Sequence, residues 1–211
     1  MTSLLLIPLM LLTADEPRWE LSAEDTGVKI YGRKRPESEI REMKAMGLVD
    51  ATPQEIWHVV RDLEHYTKTM PYMEEAKILS RDPDDRVIFF YSKINTPLVD
   101  RRDYIIKLVD ESDWREGKGF MKVSWTVVND KDDLMPVKGD VVRVRVNDGY
   151  WLLEPRDDAK KTFVTYYIYT SPGGAIPNFI ANKGNSIAVP KVFDAIRTTV
   201  ASDRKAAAAK K

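Results

Sequence analysis

Cysteine is absent from the 211 residues. That excludes disulfides, thiolate nucleophiles, cysteine-ligated zinc and cysteine-linked lipid anchors. Histidine is nearly as scarce: the two present, His58 and His65, are too few for a histidine-rich metal centre. Neither charge sign prevails, since Lys+Arg and Asp+Glu both number 33, so no basic field recruits nucleic acid. A membrane-spanning run is missing too. The apolar stretch Leu4–Leu12, in "MTSLLLIPLMLLTADEP", has nine residues against the roughly 20 a bilayer requires. Its length suits a signal-peptide core, with "LTA" before Asp15 as the cleavage site. We therefore expect residues 1–14 to be a signal peptide and the mature chain to be periplasmic or secreted. If that segment is instead an N-terminal helix packed on the domain, the chain is cytoplasmic. Catalytic signatures are lacking as well: no Gly-rich phosphate loop follows a strand, and no His-Glu-x-x-His or Gly-x-Ser-x-Gly occurs.

What is present describes one globular domain. Hydrophobic residues make up 43% and charged residues 31%, and no repeat or linker divides residues 19–202. Residues 203–211, ending "KAAAAKK", read as a helical tail. "VKIYGRK" and "IREMKAMGLVD" read as strands. In "ATPQEIWHVVRDLEHYTKTMP", Thr52 with Glu55 forms a capping box and Pro53 occupies the first helical position. This predicts an amphipathic helix near residues 53–65. From residue 74 to 170, strands recur: "EEAKILSR", "RVIFFYSKI", "RRDYIIKLVD", "KGFMKVSWTVV", "GDVVRVRVN", "GYWLLEP" and "KTFVTYYIYT". Short links separate them, and Asn147-Asp148-Gly149 reads as a hairpin turn. The expected fold class is α+β, a long curved antiparallel sheet.

Side chains alternate across a sheet. One face collects Tyr104, Ile106, Leu108, Met121, Val123, Trp125, Val127, Val142, Val144, Val146, Trp151, Leu153, Val164, Tyr166 and Ile168. The other carries Lys107, Lys122, Ser124, Thr126, Arg143, Arg145, Glu154 and Thr165 and reads as wet. Something must cover the apolar side. "SPGGAIPNFIANKGNSIAVPKVFDAIRTTV" supplies a cover, with Phe179, Ile180 and Ile187 in its apolar stripe. Gly184 and Pro190 weaken that helix and suit a segment that opens. Beneath it lies either a packed core or a hollow. Tyr104, Trp125, Trp151 and Tyr166, bulky side chains with polar tips, suit either one. Arg102 shares the apolar face and needs an ion-pair partner in Asp100 or Asp103, or else a ligand oxygen.

Three stretches, in this order, resemble the START family of lipid-transfer domains. They are the capped helix running into "YMEEAKIL"; "NTPLVDRRDYIIKL", similar to the family's Pro-containing turn and Arg-Asp-aromatic strand; and "GYWLLEP" through "SPGGAIPNFIANKGNSIAVPKVF", similar to the last strands, Pro-Gly-Gly turn and lid helix. The resemblance implies the helix-grip fold, with the sheet wrapped around the C-terminal helix and a tunnel holding one lipid such as a sterol or phospholipid. It further implies a non-catalytic carrier or sensor with no cofactor or metal, acting as a monomer with transient membrane contact. On this basis the expected ligand-binding residues are Arg102, Tyr104, Ile106, Val123, Trp125, Val144, Trp151, Tyr166, Ile168, Phe179, Ile180 and Ile187. One departure stands out. Where many members carry a glutamate in the preceding strand, this chain has Tyr91-Ser92-Lys93. The same fold also hosts polyketide aromatase/cyclases; for that alternative, Tyr166, His58 and Arg102 are the candidate acid–base groups. A third alternative is a sensor of a small hydrophobic hormone-like molecule.

Overall fold

The computed structural model describes residues 17–97, 99–174 and 176–210; the expected signal peptide, residues 1–14, lies outside them. Nine strands form one path in the order β1-β2-β3-β11-β10-β8-β6-β5-β4. They are β1 Glu20–Asp25, β2 Val28–Arg35, β3 Ser38–Val49, β4 Met73–Arg81, β5 Val87–Ile94, β6 Arg102–Asp110, β8 Lys118–Val127, β10 Val146–Arg156 and β11 Lys161–Ser171. Two short strands attach beside this path: β7 Asp113–Arg115 pairs with β8, and β9 Val142–Arg143 runs parallel to β6. Every neighbour along the path is antiparallel. The last helix, α3 Asn178–Ala208, packs along β2 and β3 and against the helices α1 Pro53–Arg61 and α2 Tyr66–Thr69. This is the expected helix-grip fold.

The capping box forms as the sequence dictates. Thr52 Oγ1 accepts from the Glu55 amide at 3.2 Å, and a Glu55 carboxylate oxygen accepts from the Thr52 amide at 2.8 Å. The helix ends sooner than expected, at Arg61; a 3₁₀ turn at Leu63–His65 and α2 continue the segment. Ile56, Val59, Val60 and Leu63 point from it into the core, each at most 2% exposed. They meet Phe193, Ile196 and Val200 of α3 in a single apolar cluster with Val49, Leu153 and Val164.

Three expectations require correction. A first strand, β1, precedes those read from the sequence; all six of its residues are exposed, so it lacks the alternation that betrays a strand. The two-residue turn Thr26-Gly27, with φ of 46° and 75°, closes it onto β2 in the manner of a type I′ hairpin. Second, Asn147-Asp148-Gly149 is no turn but the interior of β10. A Cβ at Gly149 would lie 2.3 Å from Trp125 Cζ2 and 2.5 Å from the Tyr167 carbonyl, so the glycine makes room for an indole. Third, the break between β9 and β10 shifts the alternation: Val146 packs with Ile40, Tyr169 and Ala181. Arg143, expected in water, is buried because Asp132 and the Met135 carbonyl close over it.

Candidate functional site

Between the inner face of the sheet and the first half of α3 lies a cavity of about 220 Å³. A single water needs only about 10–15 Å³ of such space, and protein interiors hold few larger voids, so this is a built feature rather than a packing flaw. Its origin lies in the side chains. The helix contributes small groups to the lining, Ala181, Gly184 and Ala188, while the sheet contributes aromatic rings. Those rings lean on one another, and one of them, Trp151, also meets Phe193 of α3. Trp151 and Tyr166 have centroids 4.4 Å apart, Trp125 and Tyr166 5.9 Å, and Trp151 and Phe193 6.1 Å. Strand register puts them in rows: Trp151 lies opposite Val123 and Tyr166, while Trp125 lies opposite Leu108 and Gly149. The roof is formed by Thr96, Pro97 and Val99 with Pro172, just after β11.

Ten of the twelve residues picked from the sequence line this space: Arg102, Tyr104, Ile106, Val123, Trp125, Val144, Trp151, Tyr166, Ile168 and Ile180. Phe179 and Ile187 do not. The lining on α3 comes from Ile180, Ala181, Gly184, Asn185, Ala188, Val189 and Val192. At about 100° per residue Phe179 falls to the opposite side, while Ile187 lies half-buried on the flank, beside Ile180 but not on the lining. Phe179 is 72% exposed. Sequence reasoning missed Tyr66, Tyr72, Phe90, Ser92, Asn147 and Asn185 among the lining residues. Asn147 had a signal: an indole N–H on an inward face needs an acceptor, and Trp125 Nε1 donates to Asn147 Oδ1 at 3.1 Å. His58 is exposed on α1, away from the cavity lining.

Arg102 and Asp103 are neighbours on β6, so they point to opposite faces. Asp103 leaves the cavity and accepts from Arg143 Nε at 2.7 Å, Arg143 Nη2 at 3.0 Å and the Tyr91 hydroxyl at 3.2 Å. Arg102 points inward and is 2% exposed. Its Nε donates to the Pro172 carbonyl at 3.2 Å, and Nη1 donates to the Asp100 carbonyl. The guanidinium therefore ties Asp100, just before β6, to Pro172, just after β11. Its nearest carboxylate, Asp100, is 3.9 Å away and largely in solvent, and burial lowers the Arg102 pKa. Gly173 and Gly174 in that turn have φ of 69° and 71°, a left-handed conformation that glycine adopts without strain.

The other ionisable groups on the lining are tyrosines. Burial raises the pKa of Tyr66, Tyr104 and Tyr166, so their hydroxyls stay protonated across the neutral range. For Tyr104, Ser92 and Asn147 lie close enough to offset part of that rise. Among the described residues, no cluster of three His, Cys, Asp or Glu side chains is placed to hold a metal. The cavity can thus enclose an apolar body, with hydrogen-bonding groups gathered where β5, β6 and β10 begin or end near the roof.

Comparison with known proteins places this architecture. Residues 49–197 match the family described as "Polyketide cyclase / dehydrase and lipid transport". The chain is 25% identical over 175 residues to the phosphatidylcholine transfer protein of Mus musculus, covering 82% of this chain and 78% of that protein. Among solved structures, it is similar to a STAR-related lipid transfer protein from Xanthomonas axonopodis, with a TM-score of 0.74, 26% identity and coverage of 86% and 98% of the two chains. It also superposes on the human StAR-related lipid transfer protein 5 with a TM-score of 0.77, at 18% identity and 88% coverage of each chain. The hollow between sheet and helix is thus set in a shared architecture, and the chain belongs to the polyketide cyclase/dehydrase and lipid-transport family, as a START-like member of the helix-grip superfamily.

Proposed function

We propose that this chain binds one lipid non-covalently in the cavity and carries or senses it without chemical conversion. The observation that supports this most is the lining itself: stacked aromatic and aliphatic side chains, with a small polar group at one end. Burying about 400 Å² of lipid there at roughly 25 cal/mol per Å² supplies about 10 kcal/mol before the costs of association. The ionisable groups on the lining are Arg102, committed to two carbonyls, and tyrosines. No acid–base pair converges on the hollow, which favours a carrier over a cyclase. Likeness to a phosphatidylcholine transfer protein favours a lipid ligand.

Entry follows from the first half of α3. Its N-cap is Pro177, with no side-chain cap, and Gly184 weakens its interior. Swinging or local melting of that half opens the cavity. Native mass spectrometry of the purified protein, followed by organic extraction, tests the proposal: one lipid per chain is expected. A protein that stays empty when offered sterols and phospholipids, yet turns over a poly-β-ketone mimic, overturns it in favour of the enzyme.

A further inference from the structure

Among the described residues, four buried side-chain polar atoms have no hydrogen-bond partner, and two of them, Ser92 Oγ and Tyr72 Oη, belong to residues lining this cavity. A buried hydroxyl left without a partner is costly. Both positions show signs of constraint. Ser92 is 1% exposed and lies directly opposite Tyr104 in the β5–β6 register. The Tyr104 hydroxyl sits near Ser92 and Asn147, yet no hydrogen bond closes on Ser92 Oγ. Tyr72 holds a φ of 63°, a left-handed conformation that a bulky side chain adopts at a cost.

Depth matters here. Arg102 pairs with Ile94, and Ser92 pairs with Tyr104, so the Ser92–Tyr104 pair lies one inward-facing step deeper, about 7 Å along the strand. Resting on the carrier reading, we propose that Ser92, with Tyr104 beside it, is a specificity-determining subsite for an uncharged oxygen of the lipid, an ester carbonyl or a hydroxyl. The site excludes ligands that present only hydrocarbon at this depth. Ser92 can donate to either oxygen type and accept from a hydroxyl; no charged group is within its pair.

The test uses the delipidated full chain and its Ser92→Ala variant. Three probes are compared by native mass spectrometry and competition: dioleoyl phosphatidylcholine, its dioleyl ether analogue, which lacks the carbonyls, and cholesterol. Ser92→Ala is expected to weaken at least one oxygen-bearing probe by about 3- to 10-fold, the worth of one hydrogen bond. The empty variant is expected to melt higher, because an orphan hydroxyl has gone. Weakening confined to the diester assigns the carbonyl; weakening of cholesterol assigns the hydroxyl. The subsite is overturned if all three affinities are unchanged, or if the empty variant melts lower, which would mean the hydroxyl was already satisfied. A wild-type chain that takes up none of the probes overturns the carrier reading itself.

Discussion

The two halves of α3 are one continuous helix in contrasting surroundings. After Pro190, Phe193, Ile196 and Val200 are buried to 1%, 1% and 4% exposure in the main core. Arg197 donates to Thr26, and Arg204 grips Glu55 with two bonds of 2.6 and 2.8 Å. Before Pro190, Ala181, Gly184 and Ala188 face the hollow beside Ile180 and Val189, and a Cβ at Gly184 would meet nothing within 4 Å. Asn182, through Arg41 and Glu39, and Asn185, through Thr170, hold that half to the sheet. Pro190 has no N–H to return to the preceding turn and so separates the halves. The lesson is that one helix presents both small and large side chains to the sheet, with a proline where the two surroundings meet.

Breaking the anchor should cost most. Phe193→Ala is expected to destabilise the fold by about 3–5 kcal/mol, whereas Ile180→Ala over the hollow costs about 1 kcal/mol, both read by denaturant unfolding. Equal losses would erase the contrast. Filling the hollow comes next: Ala188→Phe should lower lipid uptake at least about 10-fold, worth about 1.4 kcal/mol, while leaving the melting temperature nearly unchanged. Stiffening the gate is smaller. Gly184→Ala should stabilise the helix by about 1 kcal/mol and slow ligand exchange in a stopped-flow transfer assay.

The smallest effect is electrostatic. The Arg204 guanidinium, opposed by burial and aided by Thr52, lowers the Glu55 pKa from 4.5 to about 2. A carboxylate whose pKa is lower when folded contributes stability above the unfolded value. That contribution is present above about pH 4.5 and is lost as pH falls towards 2. Because the pair is partly exposed, with side chains 48% and 34% accessible, solvent screening holds it to about 1 kcal/mol or less. Arg204→Ala should flatten the melting temperature against pH in that window; an unchanged slope would remove the pair from the account.

Much of this was legible in the chain because it obeys local rules. Thr52, Pro53 and Glu55 announce α1, and inward alternation on β6, β8 and β11 names most of the lining. What escaped did so for physical reasons. β1 is exposed on all sides, so no hydrophobic period marks it. Gly149 serves the close approach of Trp125, a tertiary demand that overrides the turn preference of Asn-Asp-Gly. Phe179 looked like stripe, but the inward line passes through Ala181, Gly184 and Ala188 as well as larger residues, and those small side chains carry little hydrophobic signal. Arg102 was visible as a buried cation, yet its carbonyl partners on two connections depend on chain paths that only folding sets.

Amide hydrogen exchange along α3, in the empty and lipid-loaded protein, tests the division of the helix most directly. Residues 181–189 are expected to exchange at least about tenfold faster than 193–205 when empty, and loading is expected to slow the first group selectively. If both halves exchange together and lipid changes neither, the first half is no gate and the hollow beneath it does not admit the ligand by that route.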